Sequence, residues 1–96
     1  MVEKIIWSPQ ARDDLDGIYF SLSDFNERYA KNWASKVFDK VDLIKQFPHI
    51  GIIIKEKEVS FIREISVGNY KIAYAVLDQE IRILKIVHKN SPFGKI

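Results

Sequence analysis

The sequence predicts an α+β fold in which a hairpin of two helices covers one face of a small antiparallel sheet. Two patterns carry this prediction. From residue 11 to residue 44, apolar residues recur every three or four positions, which is typical of helices with one buried side. From residue 61 to residue 88, short apolar runs alternate with turn residues, which is typical of strands joined by tight turns. Because 96 residues is a common domain size, we expect residues 1–96 to form a single domain.

Composition excludes several classes of function. The chain has no cysteine and only two histidines, so we expect no disulfide, no metal site and no cofactor. No apolar run approaches the ~20 residues that cross a bilayer, and no signal peptide is visible, so we expect a cytoplasmic protein without membrane contact. The net charge is −1 over the first 48 residues and +3 over the last 48. This basic excess permits an acidic or phosphate-rich partner.

The first predicted elements are a short strand from Val2 to Trp7 and a helix that starts at Ser8-Pro9. Serine caps helices well, and proline suits the first helical position because its missing N–H is not needed there. The apolar stripe of this helix is Ala11, Leu15, Ile18, Leu22 and Phe25. The side predicted to face water carries Arg12, Asp13, Asp14 and Asp16. Gly17 costs about 1 kcal/mol relative to alanine inside a helix, and we expect a neighbouring element to pass close to it.

A second helix is predicted after Asn26. Its apolar face holds Ala30, Trp33, Ala34, Val37, Phe38, Val41 and Ile44. It should end at Phe47-Pro48, because a residue before proline is pushed out of the helical region. The short break between the helices predicts an antiparallel hairpin. The aromatic residues predicted to lie in the core or at its boundary are Trp7, Trp33, Phe38 and Phe47.

The predicted strands follow a turn at Gly51. They are Ile52-Ile53-Ile54, then, after a charged tip at Lys55-Glu56-Lys57-Glu58, a run ending at the Gly68-Asn69 turn, Tyr70 to Leu77, and Ile81 to His88. Alternation places Tyr70, Ile72, Tyr74 and Val76 on the face covered by the helices, and Lys71, Ala73, Ala75 and Leu77 on the other. This second face is apolar but carries Lys71, Arg82 and His88. We therefore predict that something docks on it.

The candidate functional side chains near the sheet are Arg63, Glu64, Lys71, Arg82, His88 and Lys89. His88 has the right intrinsic pKa for a general acid or base, but the simpler interpretation is a surface histidine, because nothing beside it completes a catalytic set. Arg63 either pairs with a helix carboxylate, Asp13 or Asp16, or binds a partner. The small neighbours of Lys71 leave room for a bound chain, although plain solvation explains it equally well.

The tail after the last strand, residues 90–96, carries one aromatic side chain, Phe93. Phe93 either folds back onto the sheet or stays exposed for a partner.

Four stretches together resemble the ParE/RelE superfamily of bacterial toxins. They are IIWSPQARDDLDGIYFSL, FPHIG, IREISVGNYKIAYAV and IRILKIVHKN, in the family's order and spacing. The resemblance implies a helical hairpin against a small antiparallel sheet and a cytoplasmic growth inhibitor. It also implies a cognate antitoxin whose extended C-terminal segment wraps the toxin in a hetero-oligomer. We expect the antitoxin or the target to bind at Arg63, Lys71, Ala73, Arg82, His88, Lys89 and Phe93.

The superfamily contains two mechanisms. RelE-like members cut messenger RNA on the ribosome with basic residues on the central strands and an arginine and a tyrosine near the C-terminus. At the matching strand positions this chain has Ile62, Glu64 and Lys71, and its tail NSPFGKI contains neither arginine nor tyrosine. ParE-like members inhibit DNA gyrase without a known catalytic residue, and the resemblance is closer to them.

Two alternatives stay open at the level of the sequence. Some RNA-cleaving relatives use a C-terminal histidine, so a ribosome-dependent nuclease would use Lys71, His88 and Lys89 as its catalytic candidates. A non-toxic module that binds another protein through the sheet face is the second alternative.

Overall fold

The order of elements agrees with the sequence prediction, and the α+β fold is confirmed. The computed structural model describes residues 4–54 and 61–96. The elements are β1 (Lys4–Trp7), α1 (Pro9–Phe25), α2 (Glu27–Gln46), β2 (Ile52–Ile53), β3 (Ile62–Val67), β4 (Tyr70–Leu77) and β5 (Glu80–His88). The predicted strand start at Val2 and the charged tip at Lys55-Glu56-Lys57-Glu58 lie outside the described residues. Neither described helix is long and apolar enough to cross a membrane.

Local capping explains where the two helices begin and turn. The Ser8 hydroxyl accepts a hydrogen bond from the Ala11 N–H at 3.0 Å, and Pro9 takes the first helical position. Asn26 serves both helices. Its N–H donates to the Leu22 carbonyl at 2.7 Å, and its side-chain oxygen accepts from the Tyr29 N–H at 2.9 Å. With one residue between them, the helices fold back as the predicted hairpin.

The five strands form one mixed sheet in the order β1-β5-β4-β3-β2. The strands β2 to β5 pair antiparallel as a meander, as predicted. The strand β1 lies parallel to β5, with Ile5 opposite Ile81 and Trp7 opposite Ile83. The intervening hairpin and strands form the long crossover that a parallel pair needs.

Most of the buried residues lie between the helices and the sheet. This core contains Ala11, Trp33, Val37, Val41, Ile44, Val67, Ile72, Tyr74, Ile81, Ile83 and Ile86. Three aromatic residues predicted to lie on an apolar helix face, in the core or at its boundary are instead exposed: Phe25 by 86%, Phe38 by 51% and Phe47 by 58%. Phe25 and Phe47 stand at helix ends, and the Phe38 ring contacts Trp7 at 5.9 Å between centroids beside the edge strand. The apolar stripes therefore extend beyond the area that the sheet covers.

Asp14 lies between α1 and β5, whereas the sequence prediction placed it in water. Its carboxylate accepts a hydrogen bond from the Ile86 N–H at 2.9 Å. The Ser8 hydroxyl donates to the Leu84 carbonyl at 2.9 Å, and the Ser8 N–H donates to the Ile83 carbonyl at 2.9 Å. The strand β1 ends at Trp7, so beyond this point Ser8 and Asp14 supply the hydrogen-bond partners of the β5 backbone. These bonds fix α1 against the sheet.

The expectation that an element passes close to Gly17 is wrong. Apart from the adjacent turns of its own helix, no atom of the described residues lies within 4 Å of the position that a Cβ would take there. The structure gives no packing reason for a glycine at this position.

Candidate binding face of the sheet

The second face is the side of the sheet that points away from the helices. As predicted, the β4 side chains of Lys71, Ala73, Ala75 and Leu77 lie on it. A second, smaller core forms here from Ile54, Ala73 and Phe93, with Ile62, Leu84 and Val87 packed around them. The hairpin thus covers one face of the sheet, and other parts of the chain cover part of the second face.

A bulge in β5 changes which side chains share the second face. Tyr74 lies opposite Ile83 and Ala73 lies opposite Lys85, so Leu84 is an extra residue without a partner on β4. One extra residue moves every later side chain of the strand to the other face. Arg82 therefore lies on the second face, but His88 lies on the helix-facing side. The prediction that His88 shares a face with Lys71 and Arg82 is wrong for this reason.

His88 ends a row of aromatic rings on the helix-facing side. Its ring lies 5.6 Å from the Tyr70 ring, and Tyr70 lies 5.3 Å from Trp33, both edge to face. The Asn90 N–H donates to His88 Nδ1 at 3.2 Å. Lys89 is exposed in the turn that follows, where its N–H donates to the Asn69 carbonyl at 2.8 Å.

The three candidates for nuclease chemistry therefore do not share one face of the sheet. Lys71 lies on the second face, His88 lies on the opposite face, and Lys89 lies in the turn beyond the strand.

The C-terminal tail folds back onto the second face, which decides between the two outcomes considered for Phe93. Phe93 is only 2% exposed and packs against Ile54 and Ala73. The Lys71 Nζ lies 4.5 Å from the centroid of the Phe93 ring, a cation–π contact. The Lys85 Nζ donates to the Phe93 carbonyl at 2.6 Å and to the Lys95 carbonyl at 3.4 Å. The room predicted beside Lys71 is thus occupied by the chain itself.

Lys85 was missed as a functional candidate, although the sequence contained a signal for it. If the side chains of β5 alternated strictly and Arg82 lay on the second face, Lys85 would lie beneath the helices. Burying an unpaired lysine there would be costly in free energy. That conflict was the one indication of a bulge in β5.

Arg82 lies further along the second face, beside a shallow apolar groove. Its Nε pairs with a carboxylate oxygen of Glu80, and Glu80 also lies 3.9 Å from the Lys4 Nζ. The groove is lined by Phe61, Ile62, Ala75, Leu77, Arg82, Leu84 and Ile96. Since Ile96 belongs to the tail, the tail borders this groove as well as filling the Phe93 pocket.

Arg63 and Tyr74 hold the FPHIG turn on the helix-facing side. The Tyr74 hydroxyl donates to the Pro48 carbonyl at 2.8 Å and accepts from the Gly51 N–H at 2.9 Å. The Arg63 Nη1 donates to the Gly51 carbonyl at 2.7 Å and to the His49 carbonyl at 3.3 Å.

The predicted ion pair of Arg63 with Asp13 or Asp16 is wrong. Among the described residues Arg63 forms no ion pair, because its guanidinium is directed to the carbonyls of the turn. Arg63 is therefore placed apart from the second face.

Tyr74 makes the stability of the turn sensitive to alkaline pH. Burial raises the pKa of its hydroxyl, and the Gly51 hydrogen bond and the Arg63 charge offset this only in part. The folded chain thus favours the neutral phenol. The contribution of Tyr74 to the stability of the fold is therefore complete below pH ~10, the pKa of a free tyrosine. It decreases as the pH rises through the raised pKa of the folded state.

Tyr74→Phe should lower the free energy of unfolding by about 1 to 3 kcal/mol at pH 7, because the Pro48 carbonyl and the Gly51 N–H lose their buried partner. The variant should also lose part of the stability decline above pH 10. Urea denaturation at several pH values tests both effects. Tyr29→Phe, an exposed tyrosine, is the matched control; equal pH profiles for wild type and Tyr74→Phe would contradict the assignment.

Two comparisons with known proteins give the fold and the family of this chain. One chain of a solved structure, "Chromosomal ParDE TA system from P. aeruginosa", superposes with a TM-score of 0.74 at 23% identity, covering 92% of this chain and 96% of that chain. The architecture is that of a ParE/RelE-superfamily toxin. The family model of the ParE toxin of type II toxin-antitoxin system, parDE, matches residues 5–92, and the chain belongs to this family. No curated protein matches the chain.

Proposed function

We propose that this chain inhibits bacterial growth by inhibiting DNA gyrase, and that it does so without cutting RNA. The placement of Lys71 and His88 on opposite faces of the sheet carries the proposal. Cleavage through a ribose 2′-hydroxyl needs a base, a charge clamp and an acid around one phosphate. In the described structure the Lys71 ammonium contacts the Phe93 ring on the second face, whereas His88 packs against Tyr70 on the other. This arrangement favours a toxin that acts by binding.

The proposed partner in the resting cell is a cognate antitoxin, bound in a cytoplasmic hetero-oligomer. A toxin of a type II system implies such a partner. The predicted binding residues that share the second face are Lys71, Ala73, Arg82 and Phe93, and we centre the binding surface on them. A short neighbouring gene that encodes a DNA-binding fold with a disordered tail would support this pairing.

Expression of the chain without antitoxin tests the mechanism in cells. We expect induction of the DNA-damage response and intact ribosome-bound messenger RNA. His88→Ala should leave toxicity largely unchanged, because His88 lies away from the second face. Substitution of Lys71 or Lys89, or removal of residues 91–96, should reduce toxicity.

Two results would overturn the proposal in favour of a specific alternative. Codon-phased cuts in ribosome-bound transcripts that disappear in His88→Ala would establish a nuclease. Harmless expression in the absence of any neighbouring antitoxin gene would favour a non-toxic interaction module.

A further inference from the structure

The tail occupies the second face in the way that a bound peptide occupies a groove. Phe93 supplies a buried aromatic anchor, and the backbone on its C-terminal side bends through Gly94, whose φ is +69°. No helix or strand is formed between residues 90 and 96. The tail contacts the second face through the buried Phe93 side chain and through the carbonyls that accept hydrogen bonds from Lys85.

The charges of the second face are only partly satisfied by this arrangement. Arg82 has a carboxylate partner in Glu80, but among the described residues Lys71 and Lys85 form no ion pair. Lys71 has an aromatic ring and Lys85 has neutral carbonyl oxygens. Glu64 lies on the same face, opposite Ala73 on β3, but among the described residues it forms no ion pair with either lysine. A carboxylate brought to either lysine would add the attraction between opposite charges, which a neutral carbonyl or an aromatic ring lacks.

We propose that the second face is a binding groove for an extended acidic segment that carries one aromatic side chain, and that this segment displaces the tail. The aromatic side chain takes the place of Phe93, and carboxylates on either side of it bind Lys71 and Lys85. The inference rests on the proposed function, because it specifies the chemistry of the segment by which a partner would recognise the toxin. The tail competes from within the same molecule at an effective concentration in the millimolar range. The bonds from its carboxylates to Lys71 and Lys85 allow a separate chain to displace the tail.

The test uses the full chain labelled with ¹⁵N and two synthetic peptides blocked at both ends, acidic DSPFGDE and basic KSPFGKK. Both carry the tail's own aromatic anchor, so they differ only in charge. We expect the acidic peptide to bind at least ten-fold more tightly. As it binds, the backbone order parameters of residues 91–96 should fall below about 0.6, the range of flexible backbone.

Variants locate the site. Phe93→Ala should bind the acidic peptide more tightly than wild type does, because the competing anchor is gone. Lys71→Ala and Lys85→Ala should each weaken binding about ten-fold, corresponding to about 1.4 kcal/mol. Lys36→Ala, on the exposed side of α2, is the matched control and should change nothing.

Equal binding of the two peptides would overturn the proposal, as would an acidic peptide that binds while the tail stays ordered. The absence of binding at millimolar concentration to both wild type and Phe93→Ala would overturn it too. The titration of wild type stands even if Phe93→Ala does not fold. Because no step involves gyrase, a failure here is distinguishable from a failure of the proposed target.

Discussion

Trp33→Ala should lower the free energy of unfolding by about 3 to 5 kcal/mol, the loss typical of a large aromatic side chain removed from a core. Trp33 is only 4% exposed and packs edge to face on Tyr70 where α2 meets the sheet. Its Nε1 has no hydrogen-bond partner within the described structure, so the loss reflects packing alone.

Phe38→Ala is the matched control, because it removes an aromatic side chain from the same helix at a position that is 51% exposed. We expect this change to cost less than about 1 kcal/mol, as at other exposed sites. Chemical denaturation of both variants measures the difference. Losses of similar size would show that the buried side of α2 is wrongly assigned.

Gly51→Ala should destabilise the fold by about 1 to 3 kcal/mol, the usual cost of overpacking. A Cβ at this position would lie 2.5 Å from the Glu64 carbonyl oxygen and 2.6 Å from the Tyr74 hydroxyl. Neither atom can move freely, since one belongs to β3 and the other holds the FPHIG turn.

Gly17→Ala provides a control of opposite sign. It places a methyl group in open space within a helix, so it should stabilise the fold by about 1 kcal/mol. The midpoints of thermal and urea denaturation should thus fall below those of the wild type for Gly51→Ala and rise above them for Gly17→Ala. A destabilised Gly17→Ala together with a neutral Gly51→Ala would contradict the packing described at both positions.

The helical hairpin was predictable because its signals are local. Ser8, Pro9 and Asn26 act within one turn of their own positions, and the apolar stripes report which side of each helix is buried. The stripes do not report how far the sheet extends, so the exposure of Phe25 and Phe38 could not be anticipated. The parallel pairing of β1 with β5 joins residues more than 70 positions apart, and no local pattern specifies it.

The second face was predictable as a surface but not in its details. Alternation along β4 correctly separated Lys71 and Ala73 from Tyr74. The bulge at Leu84 then moved His88 to the other face and brought Lys85 to the tail. Bulges depend on pairing between strands, so the period-two pattern of β5 gives only an indirect sign of this one, in the costly position that strict alternation assigns to Lys85.

The position of the tail also depends on contacts that the sequence alone does not reveal. Its seven residues place one aromatic side chain in a turn-forming segment, which fits both a docked and a free conformation. The pocket that holds Phe93 combines Ile54 from beyond α2 with Ala73 from β4. Only the folded sheet brings these residues together.

Inhibition of purified DNA gyrase tests the central claim most directly. The purified chain should block the supercoiling of relaxed plasmid by gyrase, and His88→Ala should block it equally well. In a parallel reaction the chain should leave messenger RNA on translating ribosomes intact. Unchanged supercoiling at a molar excess of the chain, together with cleavage of the ribosome-bound messenger RNA, would contradict the account.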